Sequence, residues 1–279
     1  MRNRMYGGVR GRKTKVGRKL LRFPPTRLLL IMCKNDRYMD GKGGSMEIKE
    51  KLDVERVMVG GKSCILHSNC DGEQPKVVFL QLTARHEAKS LPDELSMLDE
   101  GITRPYLFVG IELDSWARCL MPWFDDAVSR DEEVGKHASD TLCYIESTLV
   151  PWLHSRYGDV PCVIGGYSLG GLFALWASCK TDLFVGVVAV SPSVWIKNWT
   201  VFAENNPTHA KRVYLSLGDR EEHARNQRMA AVGPCIRRQH ELLLQQLSAE
   251  HTVLEWNKGG HFDDEAGRMA RGVVWNVEC

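Results

Sequence analysis

The feature that most constrains this chain is a serine between glycines, Gly166-Tyr167-Ser168-Leu169-Gly170. A short apolar run at 161–165 precedes it, and an apolar stretch typical of a helix follows at 172–177. Strand, tight turn and helix in this order present a nucleophilic serine at the tip of the turn. Side chains two positions on either side of the serine would collide, and glycine removes that collision while tolerating a strained backbone. The motif therefore predicts Ser168 as a nucleophile.

So short a pattern also arises by chance, and the simpler interpretation is a glycine-rich turn between a strand and a helix. A catalytic interpretation requires an acid and then a histidine further along the chain. A strand-like run at 252–256 is followed by a glycine-rich loop that ends in His261. This is the place and the order expected for the general base, so we predict His261 in that role.

The acid is expected in the loop after the strand-like run 213–217. This loop carries Asp219, Glu221 and Glu222, and position alone does not separate the three. One of them is predicted to fix the histidine tautomer and stabilise the imidazolium, and the other two to be solvated.

Acyl transfer also needs two backbone donors for the oxyanion. One should be the amide of Leu169, at the start of the helix after the nucleophile. The second should follow the buried strand at 76–82, from Leu82 or Thr83, although no His-Gly-Gly-Gly run stands there.

Three tryptophans lie in loops at the predicted carboxyl ends of strands, where ligands bind in parallel sheets. They are Trp116, Trp123 and Trp195. A tryptophan in a loop often only caps the core, but three on one edge favour an apolar or aromatic cleft. We predict that these three and Tyr167 bind the substrate.

Continuous apolar strands alternate with helices along the chain. This order predicts an α/β fold with a mostly parallel sheet covered on both faces. Gly60-Gly61 separates two strand-like runs, 54–59 and 63–67, and predicts an antiparallel hairpin at the edge. Apolar spacing predicts a helix over 139–154 that Pro151 should kink or split. We expect a single domain over 46–279.

The first 45 residues differ from the rest in charge. They hold 13 basic and two acidic residues, a net charge of +11, which leaves 24 basic and 33 acidic residues elsewhere. The run Lys42-Gly43-Gly44-Ser45-Met46 matches a purine-rich ribosome-binding site translated in frame. We interpret 1–45 as a disordered or mistakenly translated leader of a bacterial gene that starts at Met46.

Composition bears on location and partners. The net charge of −9 after residue 45 gives no support for nucleic-acid binding. No apolar run approaches the length that spans a membrane. Nine cysteines, an odd number, without a secretory signal favour reduced thiols in a cytoplasmic protein. No residue spacing indicates a metal site, and we expect no cofactor or metal.

Four segments together resemble the putative-esterase family of the α/β-hydrolase superfamily: 165–171, 188–195, 215–222 and 259–262. The family includes siderophore (enterochelin) esterases, esterase D-like enzymes, feruloyl and acetyl xylan esterases and antigen 85 mycolyltransferases. The resemblance covers about 50–279 and is nearest to the bacterial siderophore-esterase branch, whose loop acid maps onto Glu221. It implies an α/β-hydrolase fold and hydrolysis of a small-molecule ester without cofactor.

The resemblance does not identify the substrate class, because no arginine-rich siderophore pocket can be mapped onto this sequence. We expect a serine-dependent carboxylic-ester hydrolase that forms an acyl-enzyme on Ser168. The alternatives are an acyltransferase on the same fold and a binding protein without catalysis. Intact Ser168 and His261 count against the last. The sequence does not give the oligomeric state.

Overall fold

The structure is a computed structural model that describes residues 52–83 and 89–278. The predicted leader over 1–45 and the predicted start at Met46 lie outside the described residues. All residues described here belong to one compact unit, which runs from Ile48 to Cys279.

An eight-stranded sheet alternates with helices along this unit. Its strands are β1 (Glu55–Val59), β2 (Lys62–Ser68), β3 (Val77–Thr83), β4 (Tyr106–Glu112), β5 (Cys162–Tyr167), β6 (Phe184–Val190), β7 (Arg212–Gly218) and β8 (Thr252–Asn257). The α-helices are α1 (Leu91–Gly101), α2 (Trp116–Leu120), α3 (Ala138–Tyr144), α4 (Val150–Tyr157), α5 (Leu169–Ser178), α6 (Trp199–Asn205), α7 (Gln227–Ala230), α8 (Val232–Gln246) and α9 (Glu265–Glu278).

The strand order is β1-β2-β4-β3-β5-β6-β7-β8. β1 and β2 are antiparallel to their neighbours, and every pair from β4 to β8 is parallel. The predicted mostly parallel sheet with an antiparallel hairpin edge is confirmed. Gly60 and Gly61 both have positive φ, 54° and 82°. This is the two-residue turn whose twist matches a hairpin.

Successive residues of β3 face opposite sides of the sheet, as a strand requires. Val78, Leu80 and Leu82 join the larger apolar core, where α5 and α8 also pack. On the other face, the Gln81 side chain donates to Glu94 of α1. Helices α1 and α9 pack together on this second face, with α9 against β5, β6 and β7. The sheet is therefore covered on both faces, as the apolar strands predict.

The predicted helix over 139–154 is split, as Pro151 requires. Helix α3 passes into one π-helical turn at Ile145–Leu149, where the amide of Val150 donates to the carbonyl of Ile145. Pro151 then stands in the first turn of α4. A proline lacks an amide hydrogen and in a helix interior clashes with the carbonyl four residues earlier, whereas a first turn needs no such hydrogen bond. The widened π turn therefore lets α4 begin around Pro151.

The carboxyl ends of β5, β6, β7 and β8 lie side by side. The loops that follow them therefore meet at one edge of the sheet, where ligands bind in folds of this kind. Within the described ranges, the structure contains no helix of the length and apolar character needed to span a membrane.

Candidate active site

Ser168 stands at the turn between β5 and α5 with a backbone that is rare for a residue with a side chain. Its φ is 55° and its ψ is −113°. A Cβ added at Gly166 would lie 2.9 Å from the backbone of Gly170, so the turn excludes side chains at this position. Such strain is kept where it positions a functional group. Here it lifts the Ser168 hydroxyl out of the strand, at the start of α5.

His261, in the loop after β8, contacts this serine. Its Nε2 lies 3.1 Å from Ser168 Oγ, and its Nδ1 lies 2.8 Å from Glu221 Oε2. With Nδ1–H donating to the carboxylate, Nε2 is the acceptor that faces the serine hydroxyl. Both distances lie within hydrogen-bond reach. The sequence order of serine, acid and histidine thus corresponds to a continuous relay of three side chains.

The structure separates the three acids of the loop after β7. The Glu221 side chain is 5% exposed and faces the histidine. Asp219 is exposed, and its carboxylate accepts from the amide of Gly259. Glu222 turns outward into a salt bridge with Arg237 at 2.8 Å. The one-turn 3₁₀ helix Glu221–His223 points adjacent side chains in different directions, and only Glu221 meets His261.

The second carboxylate oxygen of Glu221, Oε1, accepts three donors. They are the Ser191 hydroxyl at 2.5 Å, the Gly218 amide at 2.7 Å and the Arg268 guanidinium at 3.3 Å. Burial alone would raise the pKa of Glu221, but hydrogen bonds and the charge of His261 hold this pKa below its ordinary value. The carboxylate therefore stays ionised despite its burial.

Tyr167 lies behind the histidine and is not among the residues that line the cavity beside Ser168. Its hydroxyl donates to the carbonyl of His261 at 2.6 Å and accepts from Arg268 at 2.7 Å. Its ring stands edge-on to the imidazole, with ring centroids 5.5 Å apart. Burial raises the pKa of Tyr167 to about 12, so the hydroxyl keeps its proton. These contacts place Tyr167 as a support of the His261 loop.

The two predicted oxyanion donors lie at the ends of β3 and α5. Leu169 is the first residue of α5, where backbone amides have no acceptor within their own helix. Leu82 is the penultimate residue of β3, in register with Ile111 of β4. Thr83 ends that strand, and residues 84–88 are outside the described residues.

A cavity of about 160 Å³ opens beside Ser168 and His261. Its apolar lining consists of Trp195, Ala224, Met229 and Val232, and Arg220 also borders it. Of the predicted substrate-binding tryptophans, Trp195 alone lines this cavity.

Trp116 packs instead on the first turn of α5, where a Cβ at Gly170 would come within 3.1 Å of its ring. Trp123 belongs to an aromatic cluster with Trp199 and Phe202, and its indole donates to the carbonyl of Lys197.

Three residues of the site are absent from the sequence-based prediction. Ser191 and Ser193 follow β6; Ser193 Oγ lies 3.3 Å from Ser168 Oγ, and the Ser193 amide donates to the Ser168 carbonyl. Both serines stand in the segment 188–195, which is notable in the sequence for Trp195 and for the family resemblance but not for its serines. Arg268 lies on α9 among apolar residues. A charged residue on the apolar face of a helix is the one signal that would have marked it.

A family model described as Putative esterase matches residues 111–263, more than half of the chain. The matched region contains Ser168, Glu221 and His261. The chain belongs to the Putative esterase family. Membership in this family identifies the protein as a carboxylic-ester hydrolase. No curated protein matches its sequence.

Solved structures share the fold of this esterase. An IroE-like serine hydrolase from Shewanella oneidensis is 15% identical, with a TM-score of 0.62 over 80% of this chain and 79% of that chain. Siderophore hydrolase EstA from Aspergillus nidulans is 16% identical, with a TM-score of 0.59 over 86% and 98%. The enterobactin esterase FES from Shigella flexneri is 17% identical, with a TM-score of 0.60 over 80% and 59%. Identities this low establish the common α/β-hydrolase fold alone.

In the part of the chain that the structure describes, no group of three or more His, Cys, Asp or Glu side chains is placed to hold a metal ion.

Proposed function

We propose that this esterase cleaves small carboxylic esters through a covalent acyl-enzyme on Ser168. The observation that carries the proposal is the relay from Ser168 Oγ through the His261 imidazole to the buried Glu221 carboxylate, with steps of 3.1 and 2.8 Å. Free serine is a poor nucleophile, and a base within hydrogen-bond reach activates it.

In the first half-reaction, Ser168 Oγ attacks the ester carbonyl while His261 Nε2 takes the hydroxyl proton. The imidazolium gives this proton to the departing alcohol as the carbon–oxygen bond breaks, which leaves the acyl group on Ser168. In the second, water attacks the acyl-enzyme, His261 takes the proton of the water and returns it to Ser168, and the carboxylic acid departs.

Three groups assist these steps. Glu221 holds the imidazole in the tautomer with Nδ1–H and stabilises the imidazolium. The amide of Leu169 is suited to donate to the oxyanion, because it stands at the amino end of α5. We assign the second donor to the amide of Leu82 or Thr83.

The cavity beside the serine limits the substrate. Its volume of about 160 Å³ is close to that of the ~150 Å³ engineered cavity that holds benzene. The apolar lining by Trp195, Met229 and Val232 suits a short acyl chain or a single aromatic ring. Siderophore esters are included as test substrates, because one of the similar structures described above is named a siderophore hydrolase and another an enterobactin esterase.

The seven cysteines in the described ranges are all free. They support the further proposal of a reducing, cytoplasmic location.

The test is a panel of p-nitrophenyl esters from acetate to octanoate, with benzoate, S-formylglutathione, feruloyl esters and a catechol siderophore ester. We expect hydrolysis of short and benzoyl esters by the native protein and none by Ser168→Ala. Parallel reactions with an acceptor alcohol distinguish transfer from hydrolysis, since a transferase forms the new ester in place of the free acid. A folded protein that cleaves no ester in the panel would contradict the proposal.

A further inference from the structure

Arg268 is a buried cation behind the candidate triad. It lies on α9, and its side chain is 1% exposed. One side of its guanidinium faces the acid: Nη2 donates to Ser191 Oγ and, at 3.3 Å, to Glu221 Oε1. The other side faces the histidine loop: Nη1 donates to Tyr167 Oη at 2.7 Å and approaches the Gly260 carbonyl at 3.5 Å.

The two sets of contacts lead to the two partners of His261. The Ser191 hydroxyl in turn donates a hydrogen bond to the Glu221 carboxylate, and the Tyr167 hydroxyl donates one to the carbonyl of His261. The planar guanidinium of Arg268, whose donors form a fork of fixed geometry, therefore connects the Glu221 carboxylate to the backbone of His261. A lysine carries the same charge but does not reproduce the fork.

We propose that Arg268 is a positioning residue that holds Glu221 and the His261 loop in register and offsets the charge of the buried carboxylate. This inference rests on the proposed serine-esterase function. Arg268 does not border the cavity beside Ser168, so it acts on the chemistry through its neighbours and not on substrate binding.

Charge gives this role a signature that packing alone does not produce. Among the described residues, the titratable and charged groups near Arg268 include Glu221 from the β7 loop, His261 from the β8 loop, Tyr167 of β5 and Tyr214 of β7. Glu265 stands beside Tyr167 at the start of α9, and Asp264 accepts the Arg268 amide through its backbone carbonyl. With Arg268 present, the negative charge of Glu221 is partly cancelled. Without Arg268, that charge acts on the imidazole unopposed and favours its protonated, inactive form.

The experiment compares Arg268→Met, Arg268→Lys and the control Arg271→Met in the full chain, with p-nitrophenyl butyrate as the probe substrate. Arg271 lies one turn further along α9 and is also paired with acids, Glu255 and Asp264, but contacts no member of the triad. For each variant, kcat and KM are measured across pH, and folding is followed by circular dichroism and thermal melting.

For Arg268→Met we expect the acid limb of the kcat/KM profile to move upward by about one pH unit, because one neighbouring positive charge is lost. We expect kcat to fall about 10- to 100-fold as the relay loses its alignment, with KM unchanged. Arg268→Lys should restore the position of the acid limb but only part of kcat. Arg271→Met should leave the limb in place.

An Arg268→Met protein that folds and keeps the native acid limb would overturn the inference. If Arg268→Met does not fold, Arg268→Lys becomes the decisive variant. A native kcat in Arg268→Lys would overturn the inference, because it would show that the guanidinium fork is not required. Tyr167→Phe and Ser191→Ala then test the two contacts separately, and each should lower kcat. Tyr167 does not line the cavity beside Ser168, so Tyr167→Phe should also leave KM unchanged. A native protein that cleaves no ester would instead refute the proposed function.

Discussion

The acid side and the substrate side of the candidate site are built in opposite ways. On the acid side, Glu221 is buried and its Oε1 accepts from a hydroxyl, an amide and a guanidinium. On the substrate side, Trp195 is half-buried and Met229 is 40% exposed. Buried polar groups need hydrogen-bond partners, and these partners fix one geometry. Exposed apolar side chains lose little free energy when they move or are substituted. The fold thus specifies the chemistry more tightly than the substrate.

The largest effect is expected on the acid side, at the relay itself. Ser168→Ala or His261→Ala should lower kcat by about 10⁵- to 10⁶-fold, since either change removes a step that the other residues cannot supply. Steady-state hydrolysis of p-nitrophenyl acetate measures this. Ser155→Ala, at an exposed position on α4, is the matched control and should retain native activity. Substantial turnover by Ser168→Ala would place the nucleophile elsewhere.

Glu221→Gln should cost less, about 10³- to 10⁴-fold in kcat, because it removes the charge that orients and stabilises the imidazolium but leaves the nucleophile and base. Asp219→Asn and Glu222→Gln are the matched controls from the same loop. Both should stay within a few-fold of the native rate. A larger loss of kcat in either control than in Glu221→Gln would show that Glu221 is not the acid of the triad.

The same carboxylate should show in the pH dependence of stability. The pKa of Glu221 lies below its ordinary value of 4.5, so its ionised form stabilises the fold at pH above about 4.5. That contribution is lost as pH falls through the lower folded-state pKa. Urea unfolding should find the native protein more stable than Glu221→Gln by about 1–3 kcal/mol at pH 7. The gap should shrink in acid; a gap that stays constant down to pH 3 would contradict this assignment.

The smallest effect is expected on the substrate side. Met229→Ala enlarges the cavity, so kcat/KM for octanoate relative to acetate should rise about three- to tenfold, while acetate itself is cleaved at the native rate. Met58→Ala, on β1 and 68% exposed, is the matched control. An unchanged chain-length preference in Met229→Ala would show that the acyl group does not enter this cavity.

Sequence reasoning predicted the parts of this molecule that depend on local pattern. The strand, turn and helix around Ser168 follow from glycine spacing and apolar runs, and Pro151 divides its helix because proline removes a hydrogen bond and clashes with the preceding turn. His261 follows from its place after the last strand.

What the sequence left open depends on side-chain direction and long-range contact. Asp219, Glu221 and Glu222 stand within four positions, and only the resemblance to a family, not the residues themselves, pointed to Glu221. Arg268 meets Glu221 across 47 positions of sequence, and no periodicity reports such a contact. The contacts of Tyr167 with Arg268 and of Trp123 with an aromatic cluster are also long-range, and no pattern in the sequence indicates either. Substrate binding by these two residues stays a prediction.

The most direct test of Ser168 as the nucleophile is covalent labelling of the folded native protein with a fluorophosphonate, followed by intact-mass measurement and peptide mapping. We expect one adduct per chain, on the peptide that contains Ser168. We expect no adduct in Ser168→Ala and much slower labelling in His261→Ala, because the serine is then no longer activated. Folded native protein that stays unlabelled, or that carries the adduct on another residue while Ser168 remains unmodified, would contradict the assignment of Ser168 as nucleophile.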